Sequence, residues 1–279
     1  MEDIIVCVKQ VPNTTKVKLD PVNHTILREG VESIINPFDD FALEEALFLK
    51  KKFNLKVSAL TMGPNQALEV LNYCLSKGAD EAYLLTDKKL AGSDTLATAR
   101  SLAALIKKLG YKVIFCGQES IDSSTGHIGP SIGEFLNIPQ VTHIEKILNY
   151  ENEVVKVKEK NEFGYNIIKV KLPAIFSFLK SKKKLKRGIY SKDTKNIKVF
   201  SLKDIDIDEN LVGLMGSPTR VVKIDVDDTI DYFLKVDSNL TAIERIKIIL
   251  KGGIEEKKDR LVYKEINNTI ISKLIQIIK

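Results

Sequence analysis

The sequence predicts an α/β protein: a doubly wound, mostly parallel sheet covered by helices on both faces, with an added antiparallel hairpin and a C-terminal helical arm. Three observations carry this reading. Through the first half, short apolar runs alternate with longer amphipathic ones, as in a parallel sheet whose strands are buried on both faces. Past residue 150 the apolar period changes to two, the mark of antiparallel strands with one solvated face. Beyond residue 229 the alternation ends and two amphipathic segments follow.

The elements are justified in order. "IIVCVK" (4–9) is a buried strand, and "DDFALEEALFLKKKF" (39–53) places Ala42, Ala46, Leu49 and Phe53 at helical spacing, acids leading and lysines trailing. "KVSALTMG" (56–63) is a strand, "NQALEVLNYCLSKG" (65–78) a helix closed by Gly78, and "EAYLLTD" (81–87) a strand. The helix at 93–110 has Ser93 or Asp94 as its cap and Gly110 as its stop. "KVIFCG" (112–117) is the fourth strand, "PSIGEFLN" (130–137) a short helix with Pro130 in its first turn, and "QVTHIEKI" (140–147) the fifth strand. "NEVVKVKEK" and "YNIIKVKL" flank "NEFG" as a hairpin, and "PAIFSFL" (173–179) is a further strand. Residues 179–196 read as a charged loop. The main boundary falls between Val222 and Asp231, giving domains 1–224 and 225–279.

Composition narrows the function. A chain of 279 residues with 44% apolar content is globular, and 43 basic against 37 acidic residues leave only +6. Without an RNP, zinc-finger or homeodomain pattern, that charge does not argue for nucleic acid. Cys7, Cys74 and Cys116 have no metal-ligand spacing and read as buried, reduced thiols, so no metal is expected. "MEDIIVCVKQ" puts acids where a signal peptide would put lysines, and no apolar run approaches the roughly 18 residues of a membrane span. A cytoplasmic protein is expected.

In an open doubly wound sheet, ligands lie beyond the carboxyl ends of the strands, where the strand order reverses. With the order 3-2-1-4-5, "VKQVPNTT" and "GQESIDSSTGHIGP" would converge on one crevice. A loop of Gly, Ser and Thr entering a helix offers backbone N–H groups and hydroxyls to an anion. Gly117, Gly126 and Gly129 would let a phosphate approach closely, and Asp122 is expected to accept loop N–H bonds and fix the loop's shape. The loop has neither the Lys of a P-loop nor the spacing of a dinucleotide fingerprint.

Eight blocks, "VCVKQVPNTT", "REGVESIINPFDDFALEEAL", "TMGPNQALEVL", "GADEAYLLTD", "SDTLATA", "GQESIDSSTGHIGPSIGEFLNIPQVT", "KLPAIFSF" and "GSPTRVV", resemble the β subunit of electron transfer flavoproteins over residues 1 to 224. The resemblance implies an adenine-nucleotide α-hydrolase-like fold, a heterodimer with a flavin-carrying α subunit, and AMP or FAD in this subunit. It puts Cys7 and Val8 beside the adenine, with Lys9 next to them among the cofactor-binding residues, Asn36, Pro37, Phe38 and Asp39 on a second wall, and Met62 on a third. Gly117, Gln118, Glu119, Ser120, Ile121, Asp122, Ser123, Ser124, Thr125, Gly126, His127 and Ile128 would wrap the phosphates, with residues 122–126 closest.

"VKQVP", "LREGVESIINP", "ALEEAL", "DTLATA" and the "D-x-x-T … GP" run are more similar to members that hold FAD and split the electron pair of NADH than to those that hold AMP. FAD is therefore expected, with AMP the alternative. In that scheme one electron goes to ferredoxin or flavodoxin and the other, through the α subunit, to an acyl-CoA dehydrogenase; no residue of this chain does acid–base or nucleophilic work. NADH would enter past Gly63, Pro64, Gln118 and Glu119. His127 stands where splitting members usually carry an amide. "KSKKKLKRGIYSKDTKN" (180–196) lacks the family's proline turn and "MKAKK" in the dehydrogenase-recognition loop. The tail segments "TAIERIKIIL" and "NTIISKLIQIIK" are apolar enough to need a partner surface, and the resemblance implies the α subunit. A stand-alone nucleotide sensor of the universal stress type lacks such a hairpin and tail, and an adenylating or pyrophosphatase-type enzyme would need an S-G-G-x-D-S loop after the first strand.

Overall fold

The computed structural model describes residues 2–13, 33–180, 188–189, 196–220 and 241. Chain contacts divide it into two units, Met1–Ile224 and Asp225–Lys279. The predicted arm, apart from Thr241, and most of the 180–196 loop lie outside the described residues.

The first unit runs β1 (Glu2–Cys7), β2 (Gln10–Pro12), β3 (Ser33–Ile35), α1 (Pro37–Phe53), β4 (Val57–Met62), α2 (Leu68–Lys77), β5 (Glu81–Leu85), α3 (Thr95–Leu109), β6 (Tyr111–Gly117) and α4 (Ile128–Leu136). It continues through β7 (Gln140–Glu151), β8 (Val154–Asn161), β9 (Gly164–Lys171), β10 (Ala174–Phe178) and β11 (Ile197–Phe200). Helix ends follow local chemistry. Pro37 opens α1 and left-handed Asn54 closes it. Asp94 caps α3 by accepting from the Ala97 N–H at 3.0 Å, and Gly78 and Gly110 follow the last residues of α2 and α3. α4 begins two residues before the expected Pro130, with His127 at its cap position.

The nine-stranded sheet has the order β11-β5-β4-β1-β6-β10-β7-β8-β9. The α/β class and the run of third, second, first and fourth predicted strands hold, and 154–171 forms the predicted hairpin. The fifth strand is displaced: β10 lies parallel between β6 and β7. The reason is burial. All five residues of β10 are buried and require neighbours on both edges and cover on both faces, whereas β7 buries only Val141, Ile144 and Ile147. β7 therefore marks the change to an antiparallel meander with β8 and β9. Two elements were not expected: the β2–β3 ribbon, and β11, a short edge strand parallel to β5.

Alternate residues of each central strand point to opposite faces, so the sheet carries two cores. Ile4, Val6 and Val8 face the side of α1 and α2, together with Phe115, Phe176 and Phe178. Ile5 and Cys7 face the side of α3 and α4 with Ile114, Cys116 and Ile175. Phe115 meets Phe178 edge-on at 4.7 Å and Phe176 at 5.9 Å between ring centroids. Replacing Phe115 by Ala removes the ring shared by both pairs, and the expected loss is about 3–5 kcal/mol in denaturant unfolding; a loss under about 1 kcal/mol would show that this cluster is not the centre of the core.

Candidate functional site

The order of the central strands reverses at β1. The chain passes outward through β4 and β5, then returns by α3 to β6 on the other side of β1. The segments leaving β1 and β6 must therefore diverge, and they open a crevice at the carboxyl edge.

Its floor is tied by Asn36–Asp39. Asn36 is 1% exposed; its N–H donates to the Lys9 carbonyl at 2.9 Å. Its side-chain Nδ2 donates to the Glu119 carbonyl at 2.8 Å and its Oδ1 accepts from the Ile121 N–H at 3.3 Å. Asp39, in the first turn of α1, accepts from the Lys9 N–H at 2.8 Å with one oxygen and from the Gly117 N–H at 2.9 Å with the other. Burial pushes its carboxyl up to about 7, against the downward pull of those amides, Asn36 and the Lys9 ammonium.

The loop after β6 is held at both ends. The Gln118 N–H donates to the Phe178 carbonyl and its side-chain oxygen accepts from the His143 N–H, each at 2.7 Å. The Ser120 carbonyl accepts from the Ser124 N–H at 2.8 Å, and left-handed Ser124 and Gly126 turn the chain toward α4. Ser123, Ser124 and Thr125 lie exposed before that helix; the Ser123 and Ser124 N–H groups and hydroxyls are engaged within the loop, chiefly by Ser120, and the N–H groups of the first turn of α4 are the ones that can receive an anion. The loop gains from Lys9 the cation it lacks itself: the ammonium reaches Asp122 at 2.7 Å and Ser120 Oγ at 3.3 Å.

Some roles differ from expectation. Asp122 is fixed by the Lys9 ammonium and touched by the Ser123 hydroxyl, rather than gathering loop amides. Burial raises its carboxyl, yet the Lys9 bond and charge, with Ser120, bring it below the ordinary range. Gly117 and Gly129 make room for the protein itself. A Cβ at Gly117 would stand 2.3 Å from an Asp39 carboxylate oxygen, and one at Gly129 would stand 2.2 Å from Ser177 Oγ. Gly126 alone keeps an open approach, its nearest neighbour being the Gln118 carbonyl at 3.5 Å.

The Cys7 and Val8 side chains belong to the two cores, and Met62 is half-buried. Pro37 and Phe38 are half-buried at the start of α1, where Phe38 Cβ closes on Gly117. The Gly63 N–H donates to the Leu85 carbonyl, and Pro64 lines a small groove with Gln10, Pro12, Ser33, Gln66 and Ala67. His127 is exposed, and its carbonyl accepts from the Ser131 N–H. Sequence reasoning missed Gln10 and His143. Gln10 is 8% exposed and its Oε1 has no partner among the described residues; its only sequence trace is an amide between Lys9 and Val11 in "VKQVP". The three cysteines are free and buried, and the described residues contain no metal-binding cluster and no helix long and apolar enough to cross a membrane.

A parallel sheet with its crevice at the topological switch, lined by a small-residue loop running into a helix, defines the doubly wound α/β proteins with a ligand site at the carboxyl edge. Residues 23–205 match the Electron transfer flavoprotein domain. The chain is 42% identical over 265 residues to the electron transfer flavoprotein subunit beta of Thermoanaerobacterium thermosaccharolyticum, covering 93% of this chain and 96% of that one. It is 45% identical over 225 residues to the subunit beta of Clostridium acetobutylicum (79% and 86% covered). It is also 41% identical over 226 residues to the caffeyl-CoA reductase-Etf complex subunit CarD of Acetobacterium woodii (79% and 86%). The chain belongs to the electron transfer flavoprotein family and is of the β-subunit kind.

Replacing Lys9 by Met leaves Asp122, 7% exposed, without its cation. The expected cost is only about 1 kcal/mol, because the ammonium is 42% exposed and screened. Proteolysis between Ser120 and Gly126 should quicken. The carboxyl of Asp122 is depressed in the folded chain, so the wild-type pair stabilises at neutral pH and its contribution disappears as pH falls through that titration; the Met variant should lack this acid-side loss.

Proposed function

We propose that the crevice holds the adenylate-containing part of FAD and that the chain works, paired with an α subunit, as an electron-splitting carrier. The observation that carries this is the loop 117–128, tied to the end of β1 by Asn36, Asp39 and Lys9 and leading exposed donors into α4.

The residues fit such a group. Ser123, Ser124, Thr125 and the first turn of α4 would take the pyrophosphate, with Gly126 giving the close approach. Asn36, Pro37 and Phe38 would form one wall and Met62 another, with backbone groups of Cys7 and Val8 at the base. The unpartnered Gln10 oxygen in the neighbouring groove is suited to an N–H of a bound ring. Bound FAD would supply the redox chemistry, with NADH as the electron donor and a low-potential acceptor, ferredoxin or flavodoxin, and the α subunit as the two recipients. This chain binds, orients and insulates.

NADH would pass Gly63, Pro64, Gln118 and Glu119. The A. woodii relative is named as part of a caffeyl-CoA reductase complex, and an acyl-CoA dehydrogenase is the corresponding partner proposed here. The setting is cytoplasmic. The tail, residues 225–279, is proposed to pack on the α subunit.

Co-expression with the α subunit, followed by acid extraction and nucleotide quantitation, tests the reading. Two FAD per heterodimer are expected. One FAD and one AMP would assign the chain to simple electron transfer, and absence of any adenylate beyond the α-subunit flavin would overturn the crevice assignment.

A further inference from the structure

We propose that Asp39 is a positioning residue: its ionised carboxylate sets the separation of the crevice walls, so nucleotide retention follows its protonation. The inference rests on the reading of the crevice as a nucleotide site.

The geometry leaves Asp39 nothing to offer a ligand directly. The residue is 6% exposed, and each oxygen is engaged by a backbone N–H, that of Lys9 after β1 and that of Gly117 at the end of β6. Those residues open the two lining segments, and the Lys9 side chain reaches across to Ser120 and Asp122. The contact is also close-fitting, since only glycine at 117 leaves room for the carboxylate. Asp39 thus fixes where both walls begin.

The anion meets both amides best, since every lone pair of both oxygens can accept. A neutral carboxyl keeps weaker acceptors and adds an O–H donor, which loosens the pair of bonds and favours a turn of the group. Half-ionisation lies near neutral pH because burial opposes the charge. The other ionisable groups facing Asp39 bond to neither the Lys9 nor the Gly117 N–H. Cys7 from β1, Cys116 from β6 and Cys74 from α2 are buried thiols, each pushed up by burial. Asp40, adjacent on α1, is also raised by burial against the pull of Lys77 of α2, which pairs with Glu44 as well, and the Lys9 ammonium is taken by Asp122; the Asp39→Asn variant separates the Asp39 titration from that of Asp40.

The test uses the heterodimer with the α subunit, stripped of nucleotide and titrated with FAD and separately with AMP from pH 6 to 8. For a group half-ionised near 7, the competent fraction falls from about nine tenths at pH 8 to about one tenth at pH 6, so affinity should weaken by up to about tenfold. Asp39→Asn should bring the ratio of the two affinities to unity whatever its absolute affinity. Stability of the empty protein should move oppositely: a carboxyl raised from 3.8 to about 7 makes the folded state lose stability as pH rises through that window. A purely structural role predicts only this second trend. Should the variant not fold, exchange protection of the Lys9 and Gly117 amides in the wild type, corrected for intrinsic rates, should drop at pH 6. A pH-independent affinity, or unchanged protection, overturns the inference; no binding of either nucleotide at any pH overturns the crevice assignment instead, and amide protection still judges the strap.

Discussion

Four residues, Asn36 to Asp39, hold together two strands whose continuations leave the sheet in different directions. A backbone N–H at the end of a strand has lost its ladder partner, and burying it unpaired costs about 1–3 kcal/mol. Here the end of β1 and the end of β6 are satisfied by the same short segment, which also starts α1. Helix, strand tips and loop are therefore positioned by one set of bonds. The site is not a decoration on a finished sheet, because the bonds that finish the sheet shape the site.

The remaining polar burial follows the same economy. Lys77, with a side chain 2% exposed, is compensated by Asp40 and Glu44, and Tyr73 completes the Asp40 carboxylate. That cluster locks α2 to α1 on the face opposite α3 and α4. On the other side, α4 approaches the sheet closely enough that Gly129 must lack a side chain beside Ser177 and Cys116. Rigid packing on both faces leaves the loop between β6 and α4, with its exposed hydroxyls, as the adaptable part of the carboxyl edge.

Much of this was legible in the sequence because it is local. Helix limits were written in Pro37, Gly78, Asp94 and Gly110, and strand identity in apolar runs punctuated by turns. The loop at 117–128 announced itself by composition. What escaped reading joins distant positions: Asp39 with Lys9 and Gly117, separated by 30 and 78 residues, and Lys9 with Asp122, separated by 113. No periodicity records such pairs. The central place of β10 was hidden for another reason. Its apolar run said that it was buried but not beside which strands, and the competition with β7 for the edge of β6 is decided only when both are present.

That insertion shapes the order of assembly. During synthesis, β1, β4, β5 and β6 can pair as they emerge, but the outer edge of β6 waits for Phe178 before it has a neighbour. For some sixty residues of elongation the growing chain carries a bare apolar strand edge, the kind of template that recruits other chains. The meander of β7, β8 and β9 can form in the meantime as a separate hairpin assembly, joining the sheet only when β10 slots between the two halves. Closure is thus the last act of the ribosome-proximal segment, and nascent chains truncated before it should depend on chaperone cover in a way that chains released beyond it do not.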